Sequence, residues 1–305
     1  MSLNDRVTFA RPDLLHLTKD HTVVDLHFHS HYSDGMNRIP KIAERAKSLG
    51  IGIAVTDHNE IRGAIEIDAD EEVFTIPGIE ITSAEGSHLL IYFYETKDLE
   101  TFYIQHVEPF MGPDVMSSLQ LTMEQVIRRA RTFDCVIIFA HPYCAMYTGV
   151  CNVQFSLEDR ERLFDQVDGV EAINASNLNK WNLKCAVLGF NLNKAMAGGS
   201  DGHSIGHMGR AVTYARSVPD RKAFLDAVKM QETRVIGKEM HFLRKMTSNG
   251  LKLRSNIHNC PDLMEKHLRY SCKVINFKSR SIRSRVRRRF SQRFNSSTLR
   301  SYLGI

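Results

Sequence analysis

The 305-residue sequence lacks several patterns that define other classes of protein. It has no run of about 18 consecutive apolar residues, which a membrane span requires, and its first residues lack the basic and apolar regions of a signal peptide. Its six cysteines include no Cys-x-x-Cys pair, so neither a disulfide framework nor a thiolate zinc site is indicated. We therefore expect a cytoplasmic protein with free thiols.

Charge is distributed unevenly along the chain. Residues 239–305 contain 16 Lys and Arg against 3 Asp and Glu, a net charge of +13, which leaves 24 basic and 32 acidic residues, or −8, in residues 1–238. Within the basic segment, the apolar residues Ile282, Val286, Phe290 and Phe294 recur every four positions among arginines. This spacing predicts a basic amphipathic helix. The asymmetry predicts an acidic domain over 1–238 and a basic C-terminal extension over 239–305.

Short apolar runs alternate with helical patterns between positions 23 and 238. This alternation is typical of βα units built around a parallel sheet or barrel. Helices are predicted at 39–49, 123–131, 157–167 and 182–188. Strands are predicted at 23–29, 51–56, 73–79, 89–93, 136–140, 170–174 and 194–198.

The first predicted strand ends in histidines that could bind a metal ion. His27 and His29 are two positions apart, so on a strand they point to the same face, and Asp34 lies on the next turn. A single His-x-His pair is weak evidence, because isolated histidines are more often surface or hydrogen-bonded core residues. The pair gains weight from the residues at the ends of the later strands.

Each later strand also has a residue type that binds metals at one of its ends. In a barrel the C-terminal ends of the strands meet at one mouth, so residues far apart in sequence can form one cluster. Independent placement of so many histidines and acids at strand ends is the ordinary alternative, and packing gives no reason for it. The residues are His58 after Asp57, Glu80, His88, His141, Asp201 and His203.

The candidate ligands lie in five motifs, which are His-x-His-x-x-x-Ser-Asp-Gly from His27, Thr56-Asp57-His58, Gly78-Ile79-Glu80, Ala140-His141-Pro142 and Ser200-Asp201-Gly202-His203. In this order they resemble the motifs of the PHP (polymerase and histidinol phosphatase) domain family. The resemblance covers roughly residues 22–238.

The resemblance implies a distorted (β/α)7 barrel that holds two or three divalent ions, and mixed nitrogen and carboxylate ligands suit manganese, iron or zinc. It assigns His27, His29, Glu80 and Asp201 to one ion. Glu80 would bridge to a second ion, held also by His88 and His141. A third ion would be held by Asp34, His58 and His203.

Such a cluster suits phosphoester hydrolysis, because two ions can activate a water and stabilise the attacking and leaving oxygens. Asp34, His58 or His203 could protonate the leaving oxygen, and the residues leave this choice open. Arg210 could bind phosphate through two parallel hydrogen bonds, or could lie on the surface. The expected substrate is a phosphomonoester, a nucleotide or a nucleic-acid end.

Two other functions stay open at this point. The ions could be structural, in a nucleic-acid-binding or regulatory module whose basic extension carries the function, or a similar cluster could hydrolyse a C–N bond. Structural sites usually saturate an ion with protein ligands, whereas catalytic sites keep a position for water. Nine ligands for three ions leave such positions and favour catalysis.

Overall fold

The computed structural model describes residues 2–144, 148–216 and 219–240, and over these ranges the chain is a mixed α/β fold. Its helices are α1 (Leu3–Arg6), α2 (Leu14–Leu17), α3 (Ile39–Leu49), α4 (Arg62–Asp68), α5 (Thr96–His106), α6 (Met123–Ala130), α7 (Leu157–Asp165), α8 (Asn179–Asn191) and α9 (Arg221–Lys229). Its strands are β1 (Val7–Thr8), β2 (Thr22–Phe28), β3 (Gly52–Val55), β4 (Gly78–Thr82), β5 (His88–Phe93), β6 (Cys135–Phe139), β7 (Gly169–Asn174), β8 (Ala195–Gly199), β9 (Ala211–Ala215) and β10 (Arg234–Gly237).

The helix boundaries reflect local capping chemistry. Helix α3 has a proline in its first turn, and it ends at Gly50, whose φ of 65° is a left-handed conformation that glycine adopts without strain. Helices α6 and α7 begin with reciprocal capping boxes, in which Thr122 and Ser156 cap the third backbone N–H of the helix. These signals are visible in the sequence, and three of the four predicted helices begin at the predicted residue.

The described strands form two five-stranded sheets, in the orders β1-β10-β9-β2-β3 and β4-β5-β6-β7-β8. The strands β2 and β3 are parallel, as are β6, β7 and β8, whereas β5 runs antiparallel to both of its neighbours and β9 runs antiparallel to β2 and β10. Outside these ladders, isolated bridges join Phe28 to Gly202, Ile53 to Thr75 and His58 to Glu80.

The described strands therefore do not form the predicted seven-stranded barrel. A barrel of βα units needs parallel neighbours joined by crossover helices, but β4 and β5 are joined by a tight turn over residues 83–87 and β9 returns antiparallel to β2. Between the two sheets, isolated bridges join Phe28 at the end of β2 to Gly202 after β8, and His58 after β3 to Glu80 of β4. Residues at these bridges are among the predicted metal ligands.

Close backbone approach fixes β8 against β2. A Cβ atom on Gly199 would lie 2.4 Å from the Cβ atom of His27, so only glycine fits at this position. Both strands are buried along their whole length. The ends of β2 and β8, and the residues directly after them, are consequently held side by side.

The described chain ends against the folded body. The carboxylate of Glu239 accepts a hydrogen bond from the backbone N–H of Asn179 at 2.6 Å, and buried Met240 donates its own N–H to the carbonyl of Ala175 at 2.8 Å. The predicted amphipathic helix over 282–294 lies outside the described residues, as does the rest of the extension beyond Met240. None of the described helices combines the length and apolar composition needed to span a bilayer.

Candidate metal centre

Residues at the ends of six strands converge on one buried cluster of histidines and carboxylates. His27 lies within β2 and His29 directly after it, and their Nε2 atoms are 3.2 Å apart, as expected for two residues on the same face of a strand. The carboxylate of Asp201, which lies after β8, has its Oδ1 atom 3.2 Å from His29 Nε2 and 3.7 Å from His27 Nε2. This places three of the predicted ligands in one group.

The two carboxylate oxygens of Glu80 face different histidines. Its Oε1 atom is 2.9 Å from His88 Nδ1 and 3.4 Å from His141 Nε2. Its Oε2 atom is 3.3 Å from His27 Nε2, 3.4 Å from His29 Nε2 and 3.1 Å from His58 Nδ1. Glu80 is thus positioned between two sets of nitrogen atoms, and the His88 ring contacts it directly.

Asp34 and His203 form the opposite edge of the cluster. His203 Nε2 is 2.9 Å from Asp34 Oδ2, whereas His29 Nδ1 and His58 Nε2 are 3.7 and 3.9 Å from Asp34 Oδ1. All nine predicted ligands are therefore in one cluster. Four groups have donor atoms within 4.8 Å of one another, namely His27, His29 and Asp201; His29, Asp34 and His203; His29, His58 and Glu80; and Glu80, His88 and His141.

The cluster has the chemistry of a site for divalent ions. Glu80 Oε2, His29 Nδ1 and His58 Nδ1 are buried without a hydrogen-bond partner in the structure, although other donor atoms lie close to them. Buried polar atoms in folded proteins are almost always hydrogen-bonded or bound to an ion. The donor set of imidazoles and carboxylates fits such ions, and the four groups could hold two or more of them.

Comparison with known proteins identifies the family. The PHP domain family matches residues 25–229, more than half of the chain and every residue of the cluster. The chain belongs to the PHP domain family. Its members are metal-dependent phosphoesterases, so the protein is a hydrolase that requires metal ions.

Individual proteins resemble parts of the chain. An uncharacterised protein of Methanocaldococcus jannaschii, MJ1587, is 29% identical over 167 residues, which cover 50% of this chain and 81% of the relative. The solved structure of endonuclease Q, in complex with a 27-mer duplex substrate that has an abasic lesion at the active site, has a TM-score of 0.57 at 19% identity and covers 72% of this chain and 60% of the nuclease. A two-domain protein from Bacteroides vulgatus that contains a predicted PHP-like metal-dependent phosphoesterase has a TM-score of 0.51 at 18% identity, with 76% of this chain and 69% of that protein covered. At these identities the two structures show a shared fold.

The charges of the PHP cluster favour a protonated state for some of its histidines and an ionised state for its carboxylates. Burial opposes protonation of His27, but the Glu80 and Glu171 carboxylates outweigh it and hold its pKa well above the usual value. Burial would also raise the pKa of Glu80, yet the histidines around it, His88 foremost, hold it well below the usual value. For His58, by contrast, burial prevails and lowers the pKa to about 3. Glu80 is therefore ionised, and protons are concentrated on part of the histidines.

We expect divalent ions to release protons when they bind to this site. Histidine binds a metal only through a deprotonated nitrogen, and the raised pKa of His27 keeps a proton there at neutral pH. Metal affinity should therefore rise as the pH increases, and because the pKa of His27 is raised, this dependence should extend above the pH at which an ordinary histidine, with a pKa of about 6.5, is already deprotonated. Calorimetric titration of the metal-free protein with Mn²⁺ or Zn²⁺, in buffers of different ionisation enthalpy, measures the protons released. Binding without proton release at pH 7 would contradict the protonated state inferred for His27.

Two buried carboxylates outside the predicted ligand set hold the loops that carry ligands. Asp57 accepts hydrogen bonds from the backbone N–H and hydroxyl of Ser30, at 2.8 and 2.6 Å, and from the hydroxyl of Ser33, next to Asp34. Asp25 accepts from the N–H of Ser200 at 2.8 Å and of Gly209 at 2.9 Å, on either side of Asp201 and His203. Burial raises the pKa of Asp25 to about 6, against the effect of these hydrogen bonds.

A third buried carboxylate, Glu171 on β7, orients two of the candidate ligands directly. Its Oε1 atom is 2.9 Å from His27 Nδ1, and its Oε2 atom accepts from the backbone N–H of His141 at 2.8 Å. Asn174 Nδ2 donates to the same Oε2 atom at 3.0 Å and to Asp201 Oδ2 at 3.2 Å. The sequence motifs give Glu171 no role, although a charged residue within an otherwise apolar strand is a signal that could have found it.

Replacing Glu171 by glutamine should weaken metal binding without unfolding the protein. The amide cannot accept a hydrogen bond at both positions, so His27 loses the partner that fixes its tautomer, and losses of this kind typically cost about 10- to 100-fold in affinity or activity. Metal dissociation constants are compared between this variant and Glu232→Gln, which changes an exposed glutamate. Equal affinities in the two variants would remove Glu171 from the support of the site.

Two candidate ligands have left-handed backbone conformations. The φ angles of His141 and Asp201 are 29° and 48°, and non-glycine residues rarely adopt such values because the Cβ atom crowds the backbone. Strained residues of this kind cluster at functional sites. The side chains of both residues lie in the cluster.

Two further residues bear on the chemistry of the site. Arg210 precedes β9, is half-buried, and its Nε atom donates to the carbonyl of Gly206 at 3.2 Å; the structure places it in the loop after His203 and does not place it among the ligands. Ser200 has the spacing of a serine nucleophile, between Gly198 and Gly202, but it is fully buried and its hydroxyl is directed to the carbonyl of His27. Ser200 is accordingly structural.

Proposed function

We propose that the protein hydrolyses a phosphomonoester, a nucleotide or a nucleic-acid end at the cluster of nine residues, using a water that two or three divalent ions activate. The observation that supports this most strongly is the position of Glu80, whose two oxygens face separate sets of histidine nitrogens 2.9 to 3.4 Å away. A carboxylate between two sets of ligands could bridge two ions, and two bridged ions could bind the same substrate phosphate. Manganese, iron or zinc would fit the mixed donors.

The residues would divide into three sets, each holding one ion. The first ion would be held by His27, His29 and Asp201, and the second by His88 and His141. Glu80 would be shared between these two ions. The third ion would be held by Asp34, His58 and His203. Bound ions supply a water of lowered pKa and stabilise the charge on the attacking and leaving oxygens. These roles are proposals for the residues named.

The chain itself can supply a proton to the leaving oxygen. His203 Nε2 and Asp34 Oδ2 are 2.9 Å apart and share a proton when no third ion separates them. This pair is therefore our preferred acid in a two-ion site, with His58 as the other candidate. In a three-ion site these nitrogens would be occupied, and the proton would have to come from solvent.

Nucleic acid is included among the substrates for two reasons. The endonuclease Q structure, which shares this fold, contains duplex DNA with an abasic lesion at its active site, and residues 239–305 have a net charge of +13, from 16 basic and 3 acidic residues. A metal-dependent site in a chain with such a segment could act on phosphodiesters as well as on phosphomonoesters. Small phosphorylated metabolites remain an equal part of the proposal.

The test combines metal analysis with a substrate screen of the full chain. We expect two or three transition-metal ions per chain, and release of phosphate or of a shortened oligonucleotide from at least one phosphoester in the screen. Hydrolysis of amide or amidine substrates alone would replace the proposal by the C–N alternative. Full metal content with no hydrolysis would instead favour a structural, regulatory role of the ions.

Replacing Arg210 by alanine should slow phosphoester hydrolysis without loss of metal, because its proposed partner is the substrate phosphate. A hydrogen bond between charged groups is worth about 1.5 to 3 kcal/mol, or roughly 10- to 150-fold in kcat/KM. Arg210→Lys should restore only part, since a lysine ammonium lacks the two-pronged geometry. Steady-state kinetics of both variants, with Arg11→Ala at an exposed position as control, decide the matter, and unchanged kinetics would place Arg210 outside the active site.

A further inference from the structure

Two aromatic rings and two lysines are grouped where the start of α8 meets the segment after His141. Trp181 lies in the first turn of α8, with the exposed Lys180 and Lys184 on the same side of the helix. The Nζ atom of Lys184 is 4.6 Å from the centre of the Trp181 ring and 5.6 Å from that of Tyr143, so the two rings are at most 10.2 Å apart, the sum of these distances. Lys180 Nζ is 5.3 Å from the Trp181 ring. We name these four residues the aromatic–lysine patch.

A chain of hydrogen bonds connects the patch to the metal centre. Asn174 Nδ2 donates to Asp201 Oδ2 at 3.2 Å, and Asn174 Oδ1 accepts from the backbone N–H of Asn177 at 3.1 Å. Asn177 Nδ2 in turn donates to the carbonyl of Tyr143 at 2.7 Å, and Tyr143 is two residues after His141. The patch is thus fixed relative to two candidate ligands.

Three residues of the patch, Lys180, Lys184 and Trp181, have polar groups that no carboxylate or hydrogen bond of the described residues engages, whereas the side chain of Tyr143 contacts Cys151. Within the residues that the structure describes, neither Lys180 nor Lys184 forms an ion pair with a carboxylate, and the indole Nε1 of Trp181 has no hydrogen-bond partner. Structural tryptophans usually have a partner for this N–H group. Flat aromatic faces beside ammonium groups are the surface on which proteins stack unpaired bases while the cations attract phosphates.

We propose that the aromatic–lysine patch binds the unpaired base of a nucleotide whose phosphate lies at the metal centre. This inference rests on the proposed function and narrows its substrate class to phosphoesters that carry a nucleobase. Trp181 and Tyr143 stack the base, and Lys180 and Lys184 contact its flanking phosphate. The nucleotide is either free or the terminal residue of a single strand, since the same chemistry recognises both.

Trp181 is the only tryptophan of the chain, so its fluorescence reports on the patch without any need for turnover. We expect a single-stranded oligonucleotide with a terminal phosphate to quench this fluorescence. The same oligonucleotide with an abasic terminal residue should bind with a Kd roughly 5- to 150-fold higher, which is the range expected for stacking of one base. A mononucleotide that binds as well as the oligonucleotide identifies the free nucleotide as the ligand. Weaker binding of the mononucleotide identifies the strand end.

Kinetics of variants separate base binding from chemistry. Trp181→Ala should raise KM for the base-containing substrate by roughly 5- to 150-fold, and leave kcat and KM for glycerol phosphate within about twofold. Tyr143→Ala should act in the same direction, whereas Tyr143→Phe should retain binding. Lys184→Gln should raise KM and reduce its salt dependence. The matched control is Lys222→Gln, because Lys222 also faces an aromatic ring, Tyr94, but lies on α9, which contributes no residue to the cluster.

Equal quenching by the intact and abasic oligonucleotides, or no quenching by any base-containing ligand, would overturn the proposal. So would a Trp181→Ala variant that loses activity equally on glycerol phosphate and on the nucleotide, because that result assigns a structural role to the ring. A failure of the proposed function is a different result. In that case base-specific quenching is observed with the metal-loaded protein, but no phosphoester is hydrolysed.

Discussion

Replacing Asp201 by alanine is expected to abolish hydrolysis, with a loss of more than about 100-fold, since removal of groups that only orient a ligand already costs about 10- to 100-fold. Asp201 Oδ1 is 3.2 Å from His29 Nε2 and 3.7 Å from His27 Nε2, so its loss removes both charge and geometry from one ion. Metal content, measured by elemental analysis, should fall together with kcat.

Circular dichroism and thermal unfolding would show whether Asp201→Ala keeps its fold. Asp201→Asn retains the shape of the side chain, and we expect it to lose activity as well, because a neutral amide binds a divalent ion weakly. Glu71→Ala removes an exposed carboxylate and serves as the control. Near-normal turnover with full metal content in the Asp201 variants would mean that the site has been assigned wrongly.

The second large effect is expected for Glu80→Gln. Because each Glu80 oxygen faces a different set of histidines, this substitution should reduce the occupancy of two ions at once and lower kcat by more than about 100-fold. His88→Ala, in contrast, removes a neighbour of Oε1 alone and should affect one ion. The measurement is the number of ions per chain in the two variants, alongside turnover of the same substrate.

Equal stoichiometry in Glu80→Gln and His88→Ala would contradict the shared position of Glu80. If Glu80→Gln kept all of its ions and lost only activity, the carboxylate would act on substrate instead of metal. Secondary structure of both variants should match that of the parent protein, because Glu80 lies in a strand whose hydrogen bonds are made by the backbone.

The candidate site could be predicted in large part from the sequence. Histidines and acids at strand ends have a simple geometric meaning, since His27 and His29 share a face and parallel strands end at one edge. The nine predicted metal ligands are found together in the structure, whereas Arg210 is not among them. Glu171 and Asp25 were missed because a carboxylate that supports a ligand has no spacing of its own and is defined by contacts between distant segments, such as Asp25 with Ser200 and Gly209.

The arrangement of the strands was harder to predict than their existence. The interval 73–79 was predicted as a strand, but the ladder begins only at Gly78, and Thr75 makes a single bridge to Ile53. The strands β9 and β10 were missed, and with them the antiparallel return along β2. Pairing partners and direction depend on long-range packing, which hydrophobic periodicity within a short segment does not encode.

The left-handed backbone at His141 and Asp201 has a consequence for the lifetime of the protein. Each such residue raises the free energy of the folded state by about 1 to 3 kcal/mol, a sizeable part of the roughly 5 to 15 kcal/mol that separates folded from unfolded chains. Ions that bind only the folded chain restore this free energy by mass action. When metal is scarce, the enzyme would therefore be degraded as well as less active, because chains without ions unfold more often and cellular proteases cleave the unfolded chain.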